Sequence, residues 1–412
     1  MKRLRTVIAL ILVLTMMPLA LLACNVAQPT ETPEATEMPT EESTEKPKAT
    51  EAPIEGTEYK LLDELDSIKI NGRYTLTKKG IGCDNLGSGI EFNARVKGKV
   101  YLDVSGVWVT GNTRAAYYTV YIDGVRQEER FKVKQGLKGD VLTLADFGET
   151  EGDHHIRIVK QTEARYARSE LTTITMDGTF LDKPKDKELM IEFVGSDLIC
   201  GMGNYNGLPE HEPAVAQTAE YEDGTQSVSF RVAEALNADC SILGVSGMGV
   251  AGTWMPPVTA PLYYQYTSYY RDSEAKYDFA SGRKADVIVL NIGKNDGNIP
   301  ADRRPTDEVF KATAKEYLEF LKETHGEDVK IIWTYDITQA NEETGLEYND
   351  CRYKVAEELL AELGGEEAGF YIYQIYTNRL GGQEHTDMAG HAESAKGLLN
   401  FIKEKGIAPV GE

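Results

Sequence analysis

The pattern of hydrophobic and polar residues changes near residue 188. Before that point, short segments alternate apolar and polar side chains with a period of two. The four clearest segments are residues 100–104, 117–122, 154–159 and 171–176. Two of them run into an Asp-Gly turn signal, and no long helical period interrupts them. Period-two segments separated by tight turns predict a β-sandwich domain over residues 57–185.

After residue 188, apolar segments alternate with amphipathic ones. The predicted strands are residues 189–194, 240–245, 286–292, 329–335 and 369–375. The predicted helices are residues 307–324, 351–363 and 388–404, each with apolar side chains at helical spacing and a glycine close behind. Strands alternating with helices predict an α/β fold with a doubly wound parallel sheet over residues 186–412. Ligands of such sheets bind beyond the carboxyl ends of the strands.

The first 56 residues differ from both domains. A basic start and the apolar run 7–22 have the length of a signal peptide rather than of a transmembrane helix. The segment 1–24 ends in Leu-Leu-Ala-Cys and resembles a bacterial lipoprotein signal, in which Cys24 becomes the lipidated first residue. The alternative is an ordinary secretory signal with an incidental cysteine. Residues 25–56 are almost only Thr, Glu, Pro, Ala and Lys, which predicts a disordered linker.

Charge and cysteine content exclude several classes of function. A net charge of -22 over 412 residues argues against nucleic acid as a partner. The four cysteines after the signal lie far apart, without a zinc-ligand spacing or a dense disulfide framework. They are Cys83, Cys200, Cys240 and Cys351. Buried free thiols are the preferred interpretation, and one or two disulfides are the alternative. We expect no metal and no cofactor.

Residues suited to ester chemistry follow the strands of the predicted parallel sheet. Ser196 lies in Gly-Ser-Asp-Leu after the first strand, and Gly247 follows the second. Asn295 lies in Gly-Lys-Asn-Asp after the third strand, and His385 precedes the last helix. Serine hydrolysis needs a hydroxyl nucleophile, an imidazole base and N–H donors for the oxyanion. Each residue alone also fits a turn or a structural role, but their shared position predicts one site.

These segments resemble the SGNH (GDSL-type) hydrolases, and residues 60–405 as a whole resemble carbohydrate esterase family 2. The resemblance rests on five stretches: residues 155–164, 191–195, 246–249, 292–296 and 385–391. It implies a β-sandwich of the jelly-roll kind joined to an SGNH hydrolase domain that removes acetyl groups from polysaccharides. It also implies that Gly247 and Asn295 are oxyanion donors and that His385 is the base.

The chain departs from the family pattern at two positions. The family reads Gly-Asp-Ser at the first block, whereas here Ser196 occupies the aspartate position and Asp197 the serine position. The family usually has Asp two residues before the histidine, and here that residue is Gln383, whose amide oxygen can still orient the ring. A shift of one residue moves the hydroxyl by several Å, and a carboxylate opposes the negative charge that develops in ester hydrolysis.

Two interpretations of the site therefore stand. The leading one is a cell-surface lipoprotein that hydrolyses acetyl esters of polysaccharide or oligosaccharide through Ser196 and His385. The alternative is a catalytically impaired carbohydrate-binding protein on the same scaffold, and a third is a β-sandwich that serves mainly as a cell-envelope interaction module. The membrane would be contacted only through the lipidated terminus, on the extracellular face. Among the aromatic residues of segment 254–270, Trp254 is the predicted sugar contact. Elsewhere in the chain, His211 and His391 are expected to be structural.

Overall fold

The computed structural model describes most of the chain after the linker. The described residues are 54–107, 115–133, 136–205, 218–254, 258–269, 276–338 and 352–409. The predicted signal peptide, Cys24, His211 and Cys351 lie outside them, as does nearly all of the predicted linker. Across the described ranges, no helix combines the length and the hydrophobicity that a bilayer crossing requires.

Ten antiparallel strands form the N-terminal β domain. They are β1 (Thr57–Lys60), β2 (Ile68–Asn71), β3 (Thr75–Leu76), β4 (Ile81–Gly82), β5 (Gly89–Val107), β6 (Ala116–Ile122), β7 (Val125–Val133), β8 (Gly136–Asp146), β9 (Gly152–Lys160) and β10 (Arg168–Phe180). The long strand β5 pairs with β9 before Gly98 and with β8 after it. Gly98 has a φ of +63°, a left-handed conformation that glycine adopts readily, and it divides the two pairings.

In this domain, the alternation of apolar and polar residues along the sequence matches the alternation of buried and partly exposed side chains in the strands. Val100, Leu102 and Val104 of β5 are fully buried, whereas Tyr101 and Asp103 between them are partly exposed. All four period-two segments fall inside strands, namely β5, β6, β9 and β10. The sequence did not predict β7, because its five polar residues in a row hide the period. A charged strand fits its place at the edge of the sheet.

Five strands form a separate, wholly parallel sheet. They are β11 (Met190–Gly195), β12 (Asp239–Gly244), β13 (Val287–Asn291), β14 (Lys330–Thr338) and β15 (Phe370–Thr377). Their spatial order is β12-β11-β13-β14-β15. The chain therefore adds β12 on one side of β11 and then crosses to add β13, β14 and β15 on the other side. The five predicted strands and the doubly wound α/β fold are confirmed. A reversal of strand order opens a crevice at the carboxyl ends, where ligands bind.

Seven described helices accompany the parallel sheet. They are α1 (Asp197–Cys200), α2 (Val228–Ala235), α3 (Ala260–Tyr264), α4 (Lys294–Asn298), α5 (Asp307–His325), α6 (Tyr353–Glu362) and α7 (Met388–Glu404). The three helices predicted from periodicity are α5, α6 and α7. Thr306 caps α5 by accepting a hydrogen bond from the backbone N–H of Val309 at 3.3 Å. The very short α1 and α4 have no detectable period, so the sequence did not predict them.

The two sheets share a buried interface. Leu86 and Val159 of the β domain join one hydrophobic cluster with Phe193 and Ile242 of the parallel sheet. The buried ammonium of Lys160 donates hydrogen bonds to the backbone carbonyl of Asp84 and to that of Thr162 in the next loop. This loop, residues 161–166, leaves β9 and extends under the parallel sheet's crevice. The β domain therefore supplies residues to the floor of that crevice.

The described cysteines are buried free thiols. Cys83, Cys200 and Cys240 have no disulfide partner among the described residues. Burial raises the pKa of the Cys83 and Cys240 thiols to about 12, so both stay protonated at neutral pH. The expectation of buried thiols is confirmed for these three.

Candidate active site

Residues after three strands of the parallel sheet meet at Ser196. This serine follows β11 and is 6% exposed. Its Oγ accepts a hydrogen bond from the backbone N–H of Gly247 at 2.8 Å and another from Nδ2 of Asn295 at 2.8 Å. Its hydroxyl proton is donated to Oδ2 of Asp197 at 2.8 Å. Gly247 and Asn295, the donors predicted from the sequence for a substrate oxyanion, thus both donate to the oxygen of Ser196 itself.

The carboxylate of Asp197 lies between Ser196 and His385. Its Oδ1 is 3.7 Å from Nε2 of His385, while its Oδ2 accepts the hydrogen bond from Ser196. A serine triad has the imidazole next to the hydroxyl and the carboxylate behind the imidazole. Here the order is hydroxyl, carboxylate, imidazole. The hydroxyl of Ser196 is therefore directed at Asp197 rather than at His385.

A backbone carbonyl orients the ring of His385. Nδ1 of His385 donates to the carbonyl of Gly382 at 3.0 Å, which turns Nε2 toward Asp197. Gly382 begins the short 3-10 turn Gly382–Glu384 that contains Gln383. The side chain of Gln383 lies outside the described part of the structure. The sequence placed the orienting group at Gln383, while the family resemblance also allowed a backbone carbonyl in place of the acid. The contact observed is with the carbonyl of Gly382.

Asp197 and His385 shift each other's protonation. Burial alone would raise the pKa of the Asp197 carboxyl, but the facing His385 and the Ser196 hydroxyl hold that pKa far below its usual range. Burial alone would lower the pKa of His385. The Asp197 carboxylate and the Gly382 carbonyl together have a larger, opposite effect, so the pKa of His385 is raised. The pairing therefore favours a carboxylate facing a protonated imidazole over two neutral groups. Neither group is then a good base for a serine hydroxyl.

The turn that presents the Gly247 N–H depends on a glutamate of the β domain. Gly247 has a φ of +84°, which favours glycine. Oε2 of the buried Glu163 accepts a hydrogen bond at 2.7 Å from the backbone N–H of Ser246, and Oε1 accepts another at 2.6 Å from Arg165. Sequence reasoning missed Glu163 as a site residue, although it lies within the stretch 155–164 that carries the family resemblance.

A second carboxylate fixes the loop behind the site. Asp296, fully buried at the start of α4, accepts hydrogen bonds from the backbone N–H groups of Val250, Ala251 and Gly252 at 2.7–2.8 Å. Its neighbour Asn295 also donates to the carbonyl of Met248 at 3.0 Å. The Gly-Lys-Asn-Asp segment thus supplies one residue to the site and one to its support. The sequence predicted only the first.

The site opens into a cleft of about 540 Å³. Trp254 lies at its edge with 46% of its surface exposed, and its backbone N–H donates to the carbonyl of Gly247 at 3.0 Å. Tyr263 and Tyr264, from the same aromatic segment, are fully buried packing residues. Among these three, Trp254 alone has exposed surface at the cleft, and its contact with a sugar stays a prediction.

Charged side chains surround the cleft in pairs. Lys294 makes an ion pair with Asp336 at 3.1 Å, and Arg379 makes one with Glu384 at 3.4 Å. His391 also lies at the cleft, but it is buried, and its Nδ1 accepts a hydrogen bond from the backbone N–H of Val228 at 3.2 Å. Burial lowers the pKa of His391 to about 3, so this ring is neutral and structural.

The described residues offer no metal site at this cleft or elsewhere. Among them, no group of three or more His, Cys, Asp and Glu side chains is arranged to hold a metal ion. The cleft offers hydroxyl, carboxylate, imidazole and amide groups.

Comparison with known proteins gives the fold a precedent. Residues 70–184 match the family model described as carbohydrate esterase 2 N-terminal. A family two carbohydrate esterase from Clostridium thermocellum, solved in complex with cellohexaose, superimposes with a TM-score of 0.71 at 22% identity, covering 82% of this chain and 99% of that one. An acetyl xylan esterase from the rumen bacterium Butyrivibrio proteoclasticus superimposes at 0.70 and 19%, covering 85% and 99%.

The fold is that of the family two carbohydrate esterases. A third such enzyme, from Cellvibrio japonicus, superimposes with a TM-score of 0.71 at 17% identity, covering 85% of this chain and 98% of that one. A sequence search of curated proteins found no match. The shared fold includes both the antiparallel β domain and the five-stranded parallel sheet, as the sequence predicted.

Proposed function

We propose that this chain binds carbohydrate in the cleft between Trp254 and His385, and that hydrolysis of acetyl esters through the serine route is lost. The observation that carries the proposal is the position of Asp197. Its carboxylate stands between the Ser196 hydroxyl and the His385 imidazole, where a serine mechanism needs direct contact. This favours the impaired, carbohydrate-binding alternative over the esterase that the sequence pattern favoured.

Three features of the site oppose ester hydrolysis. The Ser196 proton is directed to a carboxylate that is too acidic to accept it. The donors on Gly247 and Asn295 are occupied by the Ser196 oxygen, so they are not free for a substrate oxyanion. A negative charge on Asp197 also repels the charge that develops on an attacked ester. Each feature raises the barrier for the reaction.

The cleft has the features of a sugar site. The exposed face of Trp254 offers an apolar surface for the face of a sugar ring. Around it, the ion-paired side chains of Lys294 and Asp336 supply hydrogen-bond donors and acceptors for hydroxyl groups. One solved neighbour holds cellohexaose, and another is named an acetyl xylan esterase. A neutral polysaccharide or oligosaccharide is the ligand class that these observations support.

A second candidate is an altered acetyl esterase that uses Ser196. One observation favours it: Ser196 Oγ lies 2.8 Å from both oxyanion donors, and a correctly oriented His385 stands in the same cleft. This candidate needs Asp197 to rotate out of the gap and the Ser196 hydroxyl to approach the imidazole of His385. The substrates would be O-acetyl esters of polysaccharides such as acetylated xylan.

Hydrolysis of 4-nitrophenyl acetate by the purified ectodomain separates the two candidates. We expect no turnover above the buffer rate. Turnover that disappears in Ser196→Ala would overturn the proposal and establish the altered esterase. Turnover that Ser196→Ala leaves unchanged would point to a contaminating or different activity, which the Asp197→Ala and His385→Ala variants would then locate.

Carbohydrate binding is tested separately through Trp254. We expect Trp254→Ala to weaken binding of xylan or cello-oligosaccharides by about tenfold, because a stacked aromatic ring contributes on the order of 1–2 kcal/mol. Tyr74→Ala is the matched control, because Tyr74 is 41% exposed and does not line the cleft. Equal affinity in both variants and the parent would contradict a Trp254 contact.

We also propose that the folded part is held at the outer face of the cell membrane by a lipid on Cys24, with residues 25–56 as an extended tether. Support comes from the apolar run before Cys24 and from the composition of the tether. Metabolic labelling with a fatty acid should mark the full chain in a bacterial host. Cys24→Ala should abolish the label and release the chain from the membrane fraction.

A further inference from the structure

The gap between Asp197 and His385 is wider than a hydrogen bond. Oδ1 of Asp197 and Nε2 of His385 are 3.7 Å apart, whereas N–H···O bonds span about 2.7–3.2 Å. The two side chains are 28% and 27% exposed, and both line the cleft. A ligand in the cleft therefore meets an acceptor on Asp197 and, when the imidazole is protonated, a donor at Nε2 of His385, side by side.

One hydroxyl group satisfies both atoms at once. A hydroxyl donates one hydrogen bond and accepts others, so a single sugar oxygen can donate to Oδ1 of Asp197 and accept from Nε2–H of His385. Hydrogen bonds to charged partners are stronger than those between neutral groups. The spacing of the two atoms lets one oxygen lie at hydrogen-bond distance from each.

An acetyl ester at the same place pairs less well with Asp197 and His385 than a hydroxyl group does. Its oxygens only accept, so none can pair with the Asp197 carboxylate, and they are repelled by its charge. The donors on Gly247 and Asn295 that would receive an ester carbonyl already bond Ser196 Oγ. Replacing a sugar hydroxyl with its acetyl ester would leave the carboxylate facing an acceptor, which is unfavourable in a half-buried site.

We propose that Asp197 makes the cleft selective for glycans with a free hydroxyl over the same glycans carrying an O-acetyl group. The inference rests on the proposed carbohydrate-binding function and adds its specificity. Asp197 occupies the position of the family's nucleophile, so the substitution that removes ester chemistry also reverses the preferred form of the ligand. The protein would then recognise deacetylated regions of a polysaccharide.

The test compares two pairs of probes by isothermal titration calorimetry. Each pair is a soluble oligosaccharide, cellohexaose or xylohexaose, and its partially O-acetylated form. For the parent ectodomain we expect the unesterified member to bind about tenfold to a hundredfold more tightly, the range that one charge-assisted hydrogen bond supplies. Samples are checked for acetate release, so that hydrolysis is not mistaken for preference.

Asp197→Ser is the decisive variant, because it removes the carboxylate and retains a small polar side chain. We expect the preference to shrink to less than about threefold through loss of affinity for the unesterified probe. Asp197→Asn serves the same purpose should the serine variant fold poorly, which its thermal unfolding reveals. The matched control is Asp302→Ser, an exposed aspartate outside the cleft, which should retain the parental preference.

The outcomes separate this inference from the proposed function. Equal binding of both members of each pair, or tighter binding of the acetylated one, overturns the selectivity and leaves carbohydrate binding intact. A preference that persists in both Asp197 variants overturns the role of Asp197. No binding of any probe at millimolar concentration overturns the carbohydrate-binding function, and the inference with it.

Discussion

Oδ1 of Asp197 lies 3.7 Å from Nε2 of His385, and this pair replaces the serine–histidine contact on which esterases of the serine type depend. The two residues are far apart in the chain, one after the first strand of the parallel sheet and one before its last helix. The opposite charges of the carboxylate and a protonated imidazole stabilise each other, and under the proposed function the same interaction prevents serine activation.

The first prediction concerns the pH dependence of stability. The pKa of Asp197 is lowered, so its contribution is present above its unfolded value and is lost as the pH falls through the folded pKa. The pKa of His385 is raised, so its contribution is complete below the unfolded value and is lost as the pH rises through the folded pKa. The pair therefore stabilises the fold most between about pH 4 and about pH 6.5.

Urea unfolding of the parent and of Asp197→Asn from pH 3 to pH 9 measures this effect. The difference in free energy of unfolding should be largest inside that window and should shrink on both sides. The NMR titration of the His385 ring should show a lower pKa in Asp197→Asn than in the parent. A His385 pKa that the substitution does not move would contradict the pairing.

The second prediction restores the family order. Asp197→Ser combined with Ser196→Asp places a hydroxyl where the carboxylate now faces Nε2 of His385. We expect hydrolysis of 4-nitrophenyl acetate to rise above the parent by about a hundredfold or more, because nucleophile and base then meet directly. Ser196→Asp alone is the control and should stay inactive. A folded but inactive double variant would locate a further defect, with Gln383 as the next position to change.

The third prediction concerns Glu163, the β-domain residue under the site. Its two oxygens accept hydrogen bonds from Arg165 and from the Ser246 backbone N–H, and it is fully buried. Glu163→Gln turns one acceptor into a donor and removes the charge opposite Arg165. We expect a loss of about 3 kcal/mol in the free energy of unfolding.

Hydrogen exchange gives a local readout of the same change. The amides of Ser246 and Gly247 should lose protection in Glu163→Gln, because glutamine leaves one oxygen for which Arg165 and the Ser246 N–H compete. Glu149→Gln, at an exposed position of the β domain, is the matched control and should change neither quantity. An effect of Glu163→Gln no larger than this control would show that the glutamate does not hold the turn.

The fourth prediction separates backbone strain from crowding at Gly247. Gly247 and Gly124 have φ values of +84° and +80°, but an added Cβ at Gly247 would lie 3.1 Å from Cβ of Trp254, whereas Gly124 has open space. Both Gly→Ala variants should lose about 1 kcal/mol from the left-handed backbone. Only Gly247→Ala should also displace Trp254, seen as a change in tryptophan fluorescence. Identical losses without a spectral change would contradict the close contact.

The sequence alone determined the architecture. Period-two segments predicted the β domain, and apolar strands alternating with amphipathic helices predicted the parallel sheet. Both patterns are readable because an element buried on one face has apolar residues at a regular spacing. The positions of Ser196, Gly247, Asn295 and His385 after strands and before the last helix were enough to predict that they meet. The exchange of Ser196 and Asp197 was likewise visible in the residues.

Only the tertiary structure decided which groups the exchanged side chains contact. Glu163 reaches Ser246 across 83 residues, and Asn295 reaches Ser196 across 99. Such contacts leave no local period. Likewise, which carboxylate oxygen faces His385 follows from side-chain directions that only packing fixes. The sequence could predict that a serine, a carboxylate and an imidazole share one site, whereas their order within it depended on the fold that packs these distant segments together.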